Sequence, residues 1–244
     1  MKRIFCLIFI FIILCGCADK SPPKVYTDAP FSLDKNRNII DDNGTVYSFL
    51  ATEADLCCLG ELEFLGGING EEVVSQHLGL EFQTGMYSLK NEETKDVLVR
   101  QFPDNEWCSI YRKSEKPKFD FSLYNCTRLE FVKGNGDLAE DGIHATCGDG
   151  ITNKSEISAF FSEVKKQKSP AEAGLYDKIA NSDGTLNNCT VIGVIYAFFE
   201  GEPNLAKSMQ VTSYNHIAYS VSIDENEYVL PETLINNLKS KDSH

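Results

Sequence analysis

The stretch NNCTVIGVIYAFF, residues Asn187–Phe199, admits two readings, and the fold depends on which is taken. As a helix it would hold Cys189 at an N-terminus, where backbone dipoles favour a thiolate. As a strand it would make Cys189 one position in a sheet. Val191, Ile192, Val194 and Ile195 are β-branched and restricted at χ1, which favours the pleated conformation. The expectation is therefore a strand over residues 190–199. Further strands follow at KSMQVTSY (Lys207–Tyr214), HIAYSVSI (His216–Ile223) and EYVLP (Glu227–Pro231), with a turn at Asp224–Asn226 and a final short helix from Glu232.

Upstream, the period changes. In TNKSEISAFFSEVKKQKSP, Ile157, Phe160, Phe161 and Val164 fall on one helical face. Asn153 can cap with Glu156 three residues on, and Pro170 marks the stop. A second helix is expected over roughly Ala171–Ala180. Gly134–Gly150 reads as a loop. Between Thr45 and Lys133 short β-branched and aromatic runs alternate with turn residues: TVYSFLA, LEFQT, DVLVRQF, WCSIYRK, FDFSLYN and TRLEFVK. One helical candidate, Glu71–His77, interrupts them. The expected class is α+β: strand-rich antiparallel sheets with two or three helices between two groups of strands, stabilised by disulfides.

The chain begins with Lys2 and Arg3, an apolar run over Ile4–Leu14, and small residues at Gly16 and Ala18. This is the layout of a secretory signal peptide. The run is shorter than the about 20 residues needed to span a bilayer core. Leu14, Cys15, Gly16 and Cys17 together resemble the lipobox of a bacterial lipoprotein precursor. That resemblance implies cleavage before Cys17, acylation of its sulfur and new amino group, and, with Ala18 rather than Asp following, delivery to the outer membrane facing the periplasm. The expected organisation is a signal peptide over 1–16, a lipidated N-terminus and tether over 17–44 that becomes ordered near its end, a strand-rich region over 45–133, and an α+β region over 134–244. The last two are expected to pack as one unit.

The chain has 244 residues and a net charge of −13; without Lys2 and Arg3, 21 basic residues face 36 acidic ones, giving −15. Such a balance repels nucleic acid and anionic headgroups. Six of the nine cysteines lie outside the leader and lipid site: Cys57, Cys58, Cys108, Cys126, Cys147 and Cys189. In an oxidising compartment they allow up to three disulfides in fifteen connectivities. Adjacent Cys57 and Cys58 are expected to reach different partners, since a ring between neighbours is strained. None of the six has Cys-x-x-Cys spacing, so no metal is expected. Four Asn-x-Ser/Thr sequons, at Asn43, Asn125, Asn153 and Asn188, would be glycan sites only in a eukaryotic secreted chain.

Cys189, then His216, then Asp224, Asn226 or Glu232, resembles loosely the Cys–His–Asp order of papain-like and transglutaminase-like hydrolases. The resemblance implies Cys189 as nucleophile and His216 as base, with Glu232 the acid nearest the usual place, displaced by Pro231. The β-branched run after Cys189 opposes it. Asp149, Gly150 and Glu156 match the second half of a Ca²⁺ loop, but Ala145 and Cys147 stand where two oxygen ligands belong. That pattern reads as a turn feeding a capped helix. His77 and His144 lack partners at ligand spacing, Trp107 reads as core, and Lys165, Lys166 and Lys168 read as a solvated helix end. The expected function is a membrane-anchored protein-binding or inhibitory module without cofactor, resembling immunity or envelope-associated lipoproteins; the alternative is a lipid-anchored cysteine hydrolase.

Overall fold

The computed structural model describes residues 22–52, 55–77, 79–90, 92–102, 108–133, 150–179, 189–231 and 233–234. The first sheet has seven antiparallel strands. Their spatial order is β1 (Phe31–Leu33), β2 (Ile39–Asp41), β3 (Val46–Thr52), β10 (Ser109–Lys113), β9 (Val97–Gln101), β8 (Gly85–Leu89) and β5 (Leu62–Gly66). Just past β5, Ile68 bridges to Phe31 of β1, and Asn69 N–H donates to the Phe31 carbonyl at 2.9 Å. The two edge strands thus meet, and the sheet curls into a nearly closed barrel. Barrel closure hides edges that would otherwise pair with other chains. Phe31, Ile39, Tyr47, Ile68, Met86, Leu98 and Tyr111 fill it. Gly66 lets the edges come this close: a Cβ there would sit 2.3 Å from a Pro30 ring carbon.

The barrel also takes up most of the expected tether. Val25 pairs with Glu72, and Val73 N–H donates to the Lys24 carbonyl at 2.8 Å. The helix expected over Glu71–His77 is instead strand β6 (Val74–His77), hairpinned to β7 (Leu80–Gln83). Val73 and Val74 favour the extended chain, and the segment is too short to stabilise a helix by itself.

The second sheet is a meander of β11 (Cys126–Lys133), β12 (Cys189–Phe199), β13 (Glu202–Tyr214), β14 (Ala218–Ile223) and β15 (Asn226–Leu230). The deciding stretch is therefore a strand. Ile192 is an extra residue where the register shifts between Val191 and Gly193. A sixth strand, β4 (Cys57–Cys58), leaves the barrel sequence between β3 and β5 and pairs with Leu205 and Ala206 of β13. Helix α1 (Lys154–Val164) lies between β11 and β12 in sequence and buries Ile157, Phe160, Phe161 and Val164, as their spacing predicts. The Asn153 side chain accepts from Ser155 N–H at 2.9 Å and Glu156 N–H at 3.4 Å.

Helix α2 spans only Leu175–Ile179 rather than Ala171–Ala180. Ser169 and Glu172 do form a reciprocal capping box. The turn it starts stops at Gly174, whose φ of +63° breaks the helical path. The strand expected over Phe119–Asn125 is absent too. Asp120 accepts from Ser122 N–H and the Asn125 amide, both at 2.9 Å, and a short 3₁₀ turn, Leu123–Asn125, follows. These local side-chain bonds compete with a ladder. Ala51, Leu56, Val97 and Ile110 from the barrel region share one core with Leu129, Ile195, Met209, Val221 and the buried face of α1.

Candidate partner-binding groove and the polar cluster of the second sheet

Where β10 ends, the chain crosses from barrel to second sheet and shapes a groove. Ser114 N–H donates to the Val46 carbonyl at 2.8 Å, and the Ser48 and Ser114 hydroxyls lie 2.7 Å apart. Arg112 holds the crossover down. Its guanidinium donates to Glu202 of β13 (Nε–Oε1 2.8 Å) and to the Pro117 carbonyl, and stands 5.7 Å from the Phe119 ring centre. Phe119 meets Phe199 edge-on at 5.7 Å and lies 6.3 Å from Phe121. Such aromatic contacts fix a loop at low entropic cost.

A cavity of about 480 Å³ opens between this crossover and β3, lined by Ser48, Phe49, Leu50 and Phe121 together with Arg112, Lys113, Lys116 and Lys118. A second of about 380 Å³ lies across Lys118 and Phe119, toward Cys126, Lys154 and Phe199. Phe49 is 55% exposed although its ring packs edge-on to Tyr111 at 6.0 Å. Lys113 and Lys116 share Asp96, at 3.2 and 2.6 Å. Burial works to raise the Asp96 carboxyl, yet hydrogen bonds from Lys116, Lys113 and Thr94 hold it below the usual carboxylate range. The Asp96 hydrogen bond in turn raises Lys116. The groove thus combines apolar surface with fixed positive charge in an acidic chain.

On the second sheet the structure brings Cys189 and His216 to the same end, in different roles from those the hydrolase resemblance implies. Cys189 is an exposed residue opening β12, opposite Tyr214 of β13, and no helix begins there. His216 lies in the two-residue turn Asn215–His216, with φ of +50° and +59° and Ile217 N–H donating to the Tyr214 carbonyl at 2.9 Å. Positive φ at both central positions is the hairpin-turn conformation. The carboxylate that acts on Cys189 is Glu227. Burial pushes the thiol up, and the Glu227 charge pushes it further. A reactive cysteine needs the opposite field.

Glu227 is occupied by hydroxyls: Tyr214 donates at 2.6 Å, Tyr176 at 3.4 Å, and Ser220 donates as well. Burial and this bond raise the Tyr214 phenol strongly. Sequence reasoning missed Glu227 because its partners come from α2, β13 and β14. Of the orienting residues considered instead, Asp224 pairs with Lys207, Asn226 pairs in register with Ile223, and Glu232 lies outside the described residues.

Among the described residues no two cysteines are joined as a disulfide. Cys57 and Cys58 alternate across β4: Cys57 packs with Leu59, Val194 and Tyr196, and Cys58 against the large core. Cys126 is buried, its thiol 3.1 Å from the Arg128 carbonyl and pushed up to about 11 by burial. Cys108 precedes β10. Cys17, Cys147, Trp107, His144 and Asp149 lie outside the described residues, and His77 closes β6. Lys165 rests over the Tyr124 ring at 5.0 Å, and Lys166 pairs with Glu163 at 3.3 Å. Among the described residues no group of three His, Cys, Asp or Glu side chains could hold a metal ion, and no helix is long and apolar enough to cross a membrane. No protein-family model, curated protein or solved structure matches the chain.

Proposed function

We propose that the protein is a lipoprotein anchored through Cys17 in the cell envelope, at the outer membrane facing the periplasm, that acts by binding and restraining another protein. The observation that supports binding is the groove at the junction of the two sheets, where Phe49 stays exposed beside a fixed cationic loop. Exposed aromatics next to fixed charge are the usual material of interface anchors. The anchor rests on the Leu14–Cys17 motif. The fold begins pairing at Lys24, seven residues beyond Cys17, so the domain would sit within about 25 Å of its lipid at ~3.5 Å per residue. Hydrolysis through Cys189, His216 and Glu232 finds no support in a strand-borne thiol whose proton is held more tightly than usual.

Two measurements test the proposal. Mass mapping of the protein isolated from membranes reads the mature N-terminus: acylated Cys17 is expected, and an unmodified or uncleaved N-terminus removes the anchor. Run without reductant, the same mapping reads whether the exported cysteines pair. A photoreactive residue in place of Phe49 is expected to crosslink one protein in intact cells, whereas the same residue at Glu225, in the β14–β15 turn, is not. Equal or absent crosslinking at both sites removes the groove as the binding surface.

A further inference from the structure

We infer that the groove takes an acidic, extended peptide segment bearing apolar side chains, laid along Ser48–Leu50 with its carboxylates toward Lys116 and Lys118. The inference deepens the binding proposal above and rests on it for the existence of a protein partner.

Charge is the first argument. Four cations line the cavity: Arg112, Lys113, Lys116 and Lys118. Two carboxylates answer them, Glu202 on Arg112 and Asp96 between Lys113 and Lys116. The surplus on the lining side chains themselves is two positive charges, on a chain of net −13; Glu115 and Asp120 of the same loop, which do not line the cavity, bring the wider count to zero. A local positive site on an acidic surface selects a negative partner, because the rest of the molecule repels any binding mode that puts acid elsewhere. Asp96 also holds Lys113 and Lys116 in place before a partner arrives.

Backbone is the second. β2 pairs with β3 only through Ile40–Val46 and Ile39–Tyr47. From Ser48 onward, β3 keeps β10 on one side and, among the described residues, has no strand on the other until the turn at Thr52, whose carbonyl accepts from Asp55 and Leu56. A strand edge beside a pocket suits a peptide that adds main-chain hydrogen bonds and places alternate side chains in the pocket. Phe49 and Phe121 supply the apolar surface for those side chains.

The test uses the purified mature lipoprotein in neutral detergent and fluorescence anisotropy of a labelled twelve-residue peptide alternating Glu with Leu and Phe. Saturable binding is expected, weakened several-fold between low and physiological salt. Lys118→Glu and Phe49→Ser are each expected to weaken it about fivefold or more, and Lys116→Gln less. These positions are exposed, and thermal melts matching the parent protein show that the fold persists. The inference is overturned if no saturable binding occurs, if the Lys-for-Glu counterpart binds equally well, if the variants bind like the parent, or if inorganic phosphate alone displaces the peptide at equal concentration. A crosslinked partner at Phe49 with no acidic-peptide binding would leave the proposed function standing and remove this inference. Peptide binding by a protein whose Cys17 carries no lipid would do the reverse to the anchor.

Discussion

His216 carries a φ of +59° that an L-residue with a ring adopts at a cost. The turn needs that angle, and glycine meets it freely. His216→Gly is therefore expected to stabilise the protein by roughly 0.5–1 kcal/mol, raising Tm by about 1–4 °C for a chain of this size. A loss of stability would show that the imidazole does structural work beyond the turn. A second expectation concerns three buried neutral acids. Cys126 titrates at about 11, and Tyr47 and Tyr196 at about 12, each raised first by burial. In the unfolded chain these groups ionise near 8.5 and 10. Above those values the unfolded state has lost protons that the folded state keeps. The contribution of these three groups should be flat below about pH 8.5 and fall through pH 11, on the order of 1.4 kcal/mol per group per pH unit. Urea midpoints at pH 7, 9 and 10.5 check this, and a pH-independent midpoint contradicts it.

Within β12 the decisive position is Gly193. A Cβ there would lie 2.4 Å from the Val132 carbonyl oxygen and 2.6 Å from the Phe131 ring. Backbone cannot yield as a flexible side chain does, so Gly193→Ala is expected to cost at least about 2–3 kcal/mol. Denaturant titration beside an Ala substitution at exposed Ser155 measures the difference. The element itself was readable from sequence: Val191, Ile192, Val194 and Ile195 select a strand, and the spacing of Ile157, Phe160, Phe161 and Val164 behind Asn153 selects α1. What failed were segments decided by partners distant in sequence. Val73–His77 has too few residues to show a period, and it is a strand because Leu80–Gln83 returns beside it. Phe119–Asn125 has strand composition, but Asp120 bonds its own neighbours first. Barrel closure depends on Phe31 meeting Ile68, and the Glu227 cluster on three elements converging. No local pattern announces either meeting. The groove was illegible for the same reason, since its walls come from β3, β10 and the crossover.

The two sheets do not have separate interiors. Ala51, Val97 and Ile110 lie in the same core as Leu129, Ile195 and Met209. Arg112 of β10 reaches Glu202 of β13 as well. Unfolding should accordingly be a single transition, with the near-ultraviolet circular dichroism of the buried tyrosines and the far-ultraviolet signal coinciding in urea. Met209→Ala, at a fully buried position, should cost about 2–5 kcal/mol and shift both signals together. Two separated transitions would mean that the halves hold independently.

Two residues tie the order of events in folding to the far end of the chain. Cys57 and Cys58 are made early, yet their ladder partners, Ala206 and Leu205, come almost last. Local hairpins such as β6–β7 and β14–β15 can close within microseconds, while this pairing must wait for a loop containing most of the protein. A chain threaded N-terminus first, whether from a ribosome or through a membrane, holds β4 unpaired and the barrel side of the shared core uncovered until its second half arrives. The high contact order of that one short ladder makes folding a whole-chain event, and exposes an incomplete sheet to chaperones and proteases for as long as the C-terminal strands are missing.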